Sequence, residues 1–225
     1  MTEKIAAIVP ALNAAPSIAR VVRESLAAIS PVVVINDGST DATEQEARAA
    51  GAVVLRHEVN RGKGAALKTG FRWALENGFD AVVTLDADGQ HLPSEIPKFL
   101  RARAESGADL IIGDRSRLFG GMVVRRQLAN RFSAWSISIA AGARVPDTQS
   151  GFRLYSGNLL RNVRLRSDGF AAESEAIVRA GRAKLKIEML PIDLGFVDGV
   201  STSHYRPILD TLRIAIVVAR TRLFG

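Results

Sequence analysis

Residues 81–90 read Ala-Val-Val-Thr-Leu-Asp-Ala-Asp-Gly-Gln, a short apolar run that ends in two aspartates. The run predicts a buried β-strand with Asp86 and Asp88 at its carboxyl end. Because alternate residues of a strand point to the same face, both carboxylates are expected to aim at one spot. Two adjacent carboxylates repel unless a cation lies between them, and oxygen ligands of this kind suit Mg²⁺ or Mn²⁺. The alternative is a solvated turn, since Asp-Gly is a common turn pair.

The composition of the 225-residue chain narrows the classes of protein to which it can belong. It has no cysteine, which excludes disulfides, thiolate metal sites and a cysteine nucleophile. The longest uncharged run, residues 5–19, is interrupted by two prolines and an asparagine, so it predicts a strand and a loop rather than a signal peptide. No run approaches the ~20 apolar residues that a membrane-spanning helix needs. The chain is therefore expected to fold as one globular domain.

Charge is distributed unevenly along the chain. Residues 1–100 carry 10 basic and 12 acidic side chains, whereas residues 101–225 carry 20 and 11. Of the 30 basic residues, 24 are arginine, the better planar partner for phosphate. The second half is therefore expected to meet an anionic partner such as a phosphorylated small molecule or a membrane surface. Nucleic acid fits the charge but is disfavoured, because aromatic residues are only 6% of the chain and no compact Lys/Arg run occurs.

Apolar periodicity and turn signals predict strands that alternate with helices. Strands are predicted at 4–9, 32–35, 53–55, 81–85 and 110–112, with helices between them at 18–29, 41–50, 64–76 and 93–105. Such alternation indicates right-handed βαβ units and a parallel sheet with helices on both faces. In the less regular second half we predict helices at 122–141, 172–180 and 207–220, and strands within 149–155 and at 185–190. No linker or repeat interrupts the pattern, which favours a single α/β domain.

Three polar segments follow predicted strands of this sheet. Residues 10–13 follow the first strand, Asp37 follows the second, and the two aspartates follow the fourth. The carboxyl ends of parallel strands meet at a crevice where ligands bind, so these segments are expected to lie together. An acidic residue such as Asp37 suits hydrogen bonding to the base or ribose of a nucleoside. The alternative for Asp37 is a turn former or helix cap.

The segment Asn60-Arg-Gly-Lys-Gly64 opens the third predicted helix. Its glycines let the backbone approach a ligand, and a helix N-terminus favours an anion. It is not a Walker A loop, because no Gly-Lys-Ser/Thr follows a four-residue gap. It is also not the Gly-x-Gly-x-x-Gly of dinucleotide-binding folds, which follows the first strand. The segment is therefore expected either to contact a phosphate or to serve only as the start of the helix.

Together these motifs resemble the family 2 glycosyltransferases of the GT-A fold, and among them the polyprenyl-phosphate (dolichol-phosphate) mannose and glucose synthases. The matching segments appear in family order within residues 4–210. They are 8–13, 34–43, 60–67, 83–90, 113–115, 147–153 and 203–207, with Glu173 and Glu175. The resemblance implies a Rossmann-like, open, mostly parallel sheet with helices on both faces in one GT-A catalytic domain, residues 1–205. An amphipathic basic helix, residues 206–225, would follow this domain.

The resemblance also implies roles for individual residues. The nucleotide sugar would be bound by Pro10, Ala11, Leu12, Asn13, Ile35, Asp37, Lys63, Asp86, Ala87, Asp88 and Arg115. The metal, Mg²⁺ or Mn²⁺, would be held by Asp88 and Gln90. Residues implied in catalysis are Asp88, Arg115, Arg126 and Arg131, and those implied at the acceptor are Gln149, Ser150, His204 and Arg206.

The implied reaction is inverting transfer of a hexose from GDP-mannose or UDP-glucose to a polyprenyl phosphate. A lipid phosphate is already an anionic nucleophile, so a metal and arginines that stabilise the leaving diphosphate suffice. A second hypothesis keeps the donor but uses a saccharide or other hydroxyl acceptor, with Glu173 or Glu175 as base. A third is a non-catalytic nucleotide-binding module. A nucleotidyltransferase is disfavoured, because the first strand is not followed by a Gly-rich basic loop.

The region after the last predicted strand departs from the family pattern. The Arg and Lys of the family's acceptor loop have no clean match in residues 198–206, where His204 and Arg206 are the candidates. His204 also suits a structural role. On the predicted last helix, Arg206, Arg213 and Arg220 form one stripe, so this helix is expected either to lie in a membrane interface or to pack on the domain. The first option predicts a peripheral protein on the cytoplasmic face of the membrane.

Overall fold

A mixed, seven-stranded sheet forms the centre of the molecule. The computed structural model describes residues 3–117 and 124–195, with the backbone alone from 124 to 132. The strands are β1 (Ile5–Ala11), β2 (Val32–Asp37), β3 (Val53–His57), β4 (Ala81–Thr84), β5 (Leu110–Asp114), β6 (Arg153–Ser156) and β7 (Ile187–Pro191). Their order is β3-β2-β1-β4-β6-β5-β7, and β6 alone runs antiparallel to its neighbours. The predicted single α/β domain with a mostly parallel sheet is confirmed.

Helices cover both faces of the sheet. One face is covered by α1 (Ala15–Leu26), α2 (Thr43–Ala49) and α4 (Ile96–Ser106), and the other by α3 (Lys63–Glu76), α5 (Val124–Ala141), α6 (Gly157–Asn162) and α7 (Ala171–Arg182). Successive strand residues enter opposite layers: in β1, Ala7 and Val9 pack on the first layer and Ile8 on the second. Because both faces are buried, the strands are continuous apolar runs rather than alternating ones.

Element boundaries differ from the predicted ones for local reasons. β1 extends to Ala11, so Pro10 lies inside the strand, paired in register with Ile35 of β2. The helix predicted from residue 93 begins with a 3₁₀ turn, Pro93–Glu95, before α4. The six-residue helix α6 was not predicted, because it is too short to show a helical period; the Ser156 hydroxyl caps it by accepting the Leu159 N–H.

The predicted helix 207–220 and the proposed boundary between residues 205 and 206 lie outside the described residues. Within the ranges that are described, no helix is both long and apolar enough to cross a bilayer.

Strand β6 brings a distant loop to the ligand-binding edge of the sheet. Its first residue, Arg153, pairs with Thr84 at the end of β4 and with Ile112 near the end of β5. Because β6 is antiparallel, its amino end lies at the edge where its parallel neighbours have their carboxyl ends. Residues 147–152 therefore lie beside the acidic turn that follows β4.

Arg153 locks this loop to α7. The side chain is fully buried and its guanidinium donates to three backbone carbonyls, those of Thr148, Ser150 and Glu173, at 2.6–2.9 Å. A buried guanidinium is costly unless its N–H groups are satisfied, so these bonds define the loop conformation. The sequence analysis placed Arg153 in a family motif but gave it no role.

Candidate active site

The acidic turn after β4 is the centre of the candidate site. The strand ends at Thr84, so Asp86 and Asp88 lie in the turn beyond it rather than on the strand. Strand alternation therefore does not determine where the two carboxylates point, and their convergence on one spot stays a prediction. Each aspartate has its own partners, although the charge of Asp86 still acts on Asp88.

Lys63, the first residue of α3, lies between two carboxylates. Its ammonium Nζ is 2.6 Å from Asp86 Oδ1 and 3.1 Å from Glu173 Oε1, and only 15% of the Lys63 side chain is exposed. Burial alone would lower the pKa of Lys63, but the two carboxylates hold it well above its usual value. Burial alone would likewise raise the pKa of Asp86, but Lys63 holds it well below its usual range. Lys63 and Asp86 therefore form an ion pair at neutral pH.

Gly151 leaves room for this ion pair. A Cβ added at Gly151 would lie 2.7 Å from Lys63 Nζ and 2.7 Å from Asp86 Oδ2. Both are charged atoms in a close contact, so neither can withdraw without weakening the pair. Position 151 therefore requires glycine, because Lys63 and Asp86 lie too close to its backbone for a side chain.

We expect Gly151→Ala to lower the free energy of unfolding by about 1–3 kcal/mol, the usual cost of forcing a methyl group into a packed site. Gly169→Ala is the matched control, because a Cβ there meets nothing within 4 Å. Its effect should stay within ~0.5 kcal/mol. Chemical denaturation of both variants measures the difference, and equal stabilities would contradict the role assigned to Gly151.

Arg115 follows β5 and is held by Asp147. Its Nε donates to Asp147 Oδ2 at 2.7 Å and its Nη2 donates to Oδ1 at 3.1 Å, while the Arg115 backbone N–H also donates to Oδ2. Burial would raise the pKa of Asp147, but these bonds keep it below its usual value. The charge of Arg115 also lowers the pKa of Asp86. The two-point pairing thus holds a second cation beside the acidic turn.

Asp88 and Gln90 follow Asp86 in the chain, and both are half-buried. Asp88 Oδ1 accepts the Gln90 N–H at 2.9 Å. Burial raises the pKa of Asp88, and the neighbouring charge of Asp86 raises it further. A cation bound at Asp88 would relieve both effects, so the site favours one electrostatically.

The oxygens of Asp88 and Gln90 fit a hard divalent ion. Mg²⁺ is usually bound through one or two carboxylates, and waters and substrate phosphates complete its shell. Across residues 3–117 and 124–195, no group of three His, Cys, Asp or Glu residues could hold a metal. An ion held by Asp88 and Gln90 would therefore complete its shell with waters and with oxygens of a bound ligand.

His91 supports the turn and was missed by the sequence analysis. The buried ring accepts the Asp86 N–H at Nδ1, 3.1 Å away, and packs against Phe152 with 5.3 Å between ring centroids. Burial lowers the pKa of His91 to about 4. The ring is therefore neutral at pH 7 and carries its proton on Nε2. A single histidine after a turn carries no sequence signal for such a role.

The residues predicted to bind the nucleoside differ in burial and in hydrogen bonding. Asn13, with φ of 50°, accepts the Thr40 N–H at Oδ1 and donates its own N–H to Ser39 Oγ, which joins the segments that follow β1 and β2. Leu12 is half-buried, as is Pro10 within β1, and Ala11 is buried. Ile35 is fully buried in the core, so its side chain has no exposed surface, and its contact with a nucleoside stays a prediction.

Asp37 and Ala87 are both buried and bonded to neighbouring segments. Asp37 accepts the N–H groups of Arg61 and Gly62 at 3.0 and 2.8 Å, so it holds the loop before α3. The carbonyl of Ala87 accepts the Ser17 hydroxyl at 2.6 Å. Contact of either residue with a nucleotide sugar stays a prediction.

The residues predicted for the acceptor and for further catalysis are only partly described. Gln149 is half-buried and donates its N–H to Asp147, whereas Ser150 is fully buried, so its side chain does not reach the cleft surface. For Arg126 and Arg131 the structure describes the backbone of α5 but not the side chains. The predicted acceptor residues His204 and Arg206 lie outside the described residues.

Glu173 and Glu175, considered together in the sequence analysis, have different surroundings. Glu173 contacts Lys63 in the site. Glu175 accepts the N–H groups of Arg166 and Ser167 and the Nε of Arg179 at 2.7 Å. Burial would raise the pKa of Glu175, but these hydrogen bonds hold it below its usual value. Glu175 therefore anchors the loop before α7, while Glu173 belongs to the charged site.

The sheet, its acidic turn and the two held cations define a class of protein, the α/β enzymes that bind an anionic ligand at the carboxyl edge of the sheet. The profile of glycosyl transferase family 2 matches residues 6–169, and the chain belongs to this family. The membership expected from the motifs is confirmed, and the protein is a glycosyltransferase.

Two relatives and one solved structure are similar to the chain over most of its length. An uncharacterised protein of Methanocaldococcus jannaschii is 33% identical and covers 99% of this chain and 93% of its own length. The undecaprenyl-phosphate mannosyltransferase of Micrococcus luteus is 35% identical over 72% of this chain and 71% of its own. A glucosyl-3-phosphoglycerate synthase of Mycobacterium tuberculosis, solved with Mn²⁺, UDP and phosphoglyceric acid, has a TM-score of 0.75 at 21% identity and matches 99% of this chain and 80% of its own. The last likeness concerns the fold alone.

Proposed function

We propose that this protein is an inverting glycosyltransferase that moves a hexose from a nucleotide sugar to a polyprenyl phosphate, with Mg²⁺ or Mn²⁺ as cofactor. The choice of acceptor rests on one observation: both candidate bases, Glu173 and Glu175, form ion pairs with cations of the protein. The similarity to the undecaprenyl-phosphate mannosyltransferase of Micrococcus luteus supports the same acceptor class.

The state of the two glutamates favours a phosphate over a hydroxyl acceptor. A hydroxyl needs a general base within hydrogen-bond reach of its proton. Glu175 is saturated by two backbone N–H groups and Arg179, and Glu173 is paired with Lys63. A phosphate monoester is already ionised at neutral pH, so its oxygen attacks without losing a proton.

Two cations of the site would contact the two anionic substrates. In the proposed reaction the acceptor oxygen forms a bond to the anomeric carbon while the bond to the nucleoside diphosphate breaks. Lys63 and Arg115 would donate hydrogen bonds to the two anions, while their charges stay balanced by Asp86, Glu173 and Asp147. Net positive charge for the leaving diphosphate would come from the bound divalent ion. Asp147 and Asp86 hold these cations in place before substrate binds, so little reorganisation is needed.

Asp88 and Gln90 would hold the divalent ion. When bound, the ion would act as a Lewis acid on the diphosphate leaving group. The Mn²⁺ and UDP present with the Mycobacterium tuberculosis synthase are in line with this assignment. The donor would be GDP-mannose or UDP-glucose, of which the first suits the mannosyltransferase relative and the second the uridine nucleotide of that synthase.

A lipid acceptor also implies that the protein works at a membrane surface. The excess of basic side chains in residues 101–225 would attract an anionic membrane surface, and the predicted C-terminal helix would lie in that interface. We therefore propose a peripheral protein on the cytoplasmic face of the membrane.

An assay with two donors and two acceptors tests the proposal. Radiolabelled GDP-mannose or UDP-glucose is incubated with Mn²⁺ and either undecaprenyl phosphate in detergent or a mixture of oligosaccharides. We expect label from one donor to enter the organic phase with the lipid, and chelation by EDTA to stop the transfer. Label in oligosaccharide alone would support the hydroxyl alternative. Nucleotide binding without turnover would support a non-catalytic module.

A further inference from the structure

Asp37 and His57 form a buried pair beneath the loop that leads into α3. The two residues are register partners at the ends of β2 and β3 and are 4% and 6% exposed. His57 Nδ1 lies 2.6 Å from Asp37 Oδ1, and His57 Nε2 lies 2.9 Å from Thr69 Oγ1 on α3. A single imidazole therefore connects two strands and a helix.

The direction of these hydrogen bonds follows from the chemistry of the carboxylate. Asp37 already accepts the N–H groups of Arg61 and Gly62, so the ring nitrogen that faces it must donate. The ring therefore carries a proton on Nδ1, and Nε2 forms the hydrogen bond with the Thr69 hydroxyl. His57 and Asp37 together determine where the two backbone N–H groups of the loop lie.

The loop itself has little room to shift. Gly62 has φ of 91°, and a Cβ there would lie 2.6 Å from the Asp168 carbonyl oxygen. On the other side, a Cβ on Gly38 would lie 2.5 Å from the Asn60 nitrogen. The next residue is Lys63, whose ammonium contacts Asp86 and Glu173. A displacement of the loop would therefore move the ammonium away from at least one carboxylate.

We propose that His57 is a positioning residue for the transfer reaction and acts through the loop on Lys63. The side-chain hydrogen bonds described for His57 end at Asp37 and at Thr69 on α3. Its proposed route to the site is Asp37 and the backbone of residues 61 and 62, and Thr69→Val tests the other route. The catalytic consequence rests on the proposed function, whereas the ordering of the loop rests on the geometry alone.

Hydrogen exchange tests the ordering of the loop without any substrate. His57→Leu removes both ring hydrogen bonds, His57→Asn keeps an N–H at the position of Nδ1, and Thr69→Val removes only the bond to Nε2. We expect His57→Leu to speed exchange at the Arg61 and Gly62 amides by roughly tenfold or more, because their acceptor loses its support. The other two variants should stay close to wild type. Unchanged exchange in His57→Leu would overturn the proposal.

A double-mutant cycle with Lys63 tests the catalytic consequence. Rates are compared at a temperature where every variant is folded. His57→Leu should lower kcat by roughly tenfold when Lys63 is present and much less in the Lys63→Met background, because residues that act through one another are not additive. Additive effects would overturn the positioning role. If the wild-type protein transfers no hexose, the proposed function fails, and the exchange measurement still decides whether His57 orders the loop.

Discussion

Replacing Asp88 by Asn is expected to lower hexose transfer by roughly 10²- to 10⁴-fold, because metal stabilisation of a leaving diphosphate is worth several kcal/mol and each 1.36 kcal/mol is a factor of ten. The substitution keeps the shape of the side chain and removes its charge. Asn retains one oxygen for the Gln90 N–H, so the turn should persist. The loss would therefore report on metal binding rather than on folding.

The stability of Asp88→Asn shows whether a loss of activity comes from lost metal binding or from unfolding. Burial and the charge of Asp86 both raise the pKa of Asp88, so folding disfavours its ionised form. A carboxyl whose pKa is higher in the folded than in the unfolded protein lowers the free energy of unfolding when the pH is above the unfolded pKa, near 3.8. This loss of stability disappears as the pH falls below that value. Without metal, Asp88→Asn should thus have a melting temperature equal to or above that of wild type at pH 7.

Asp80→Asn is the matched control for Asp88→Asn. Asp80 is exposed just before the amino end of β4 and accepts the Lys4 N–H, so the same change there lies at the opposite edge of the sheet. Its rate should match wild type within about twofold, since exposed sites away from the chemistry rarely matter. The measurement is Mn²⁺-dependent transfer together with calorimetric titration of Mn²⁺ in the presence of nucleotide. Full activity in Asp88→Asn would refute the metal assignment.

Replacing Lys63 by Met is expected to lower both stability and activity. Removing one partner of a buried ion pair leaves an uncompensated charge and usually costs about 3–5 kcal/mol. Here two carboxylates, those of Asp86 and Glu173, would lose their common partner. Transfer should fall by roughly 10²-fold even in the folded fraction, because a held cation beside the leaving group is lost.

The pH dependence of the Lys63→Met variant has a definite sign. In wild type the pKa of Asp86 is lowered and that of Lys63 is raised, so the ion pair contributes fully to stability between about pH 3.8 and 10.5 and is lost as the pH falls further below this range. In the variant, the burial that raises the pKa of Asp86 remains, and only weaker effects, such as that of Arg115, oppose it in place of Lys63. The variant's deficit in unfolding free energy should therefore shrink as the pH is lowered from 7 to 5, whereas wild type should gain nothing from this pair.

Lys68→Met is the control on the same helix. Lys68 pairs with Asp168, whose side chain is 66% exposed, and a solvent-exposed pair contributes at most about 1 kcal/mol. Urea unfolding of the two variants at pH 5 and pH 7 gives the comparison. Lys63 would not be the common ion-pair partner of Asp86 and Glu173 if Lys63→Met were no less stable than Lys68→Met. The same would follow if the loss of unfolding free energy in Lys63→Met did not change with pH.

The alternating pattern of strands and helices could be read from the sequence because local signals encode it. Continuous apolar runs such as 32–35 and 81–85 predict strands buried on both faces, and Gly and Pro mark their ends. The orientation of β6 could not be predicted, because a four-residue strand reads the same whether it runs parallel or antiparallel. That orientation brings residues 147–152 to the site.

The site was predictable as a set of motifs but not as a set of contacts. Asp86, Asp88 and Lys63 stand out by residue type and position after a strand or before a helix. Their partners do not: Glu173 is far from Lys63 in the chain, and Asp147 is separated from Arg115 by α5. The two aspartates do follow β4, but strand alternation does not apply to them, because β4 ends two residues before the first of them.

The sequence by itself determined the family, the order of the elements and the residues that carry charge at one edge of the sheet, because these depend on local pattern and on short motifs. The tertiary structure alone decided which charges meet. It pairs Lys63 with Asp86 and Glu173, engages Glu175 elsewhere, and requires a glycine at 151. Ion pairs of this kind depend on distances of a few ångströms between segments that only packing brings together, and no local pattern encodes such distances.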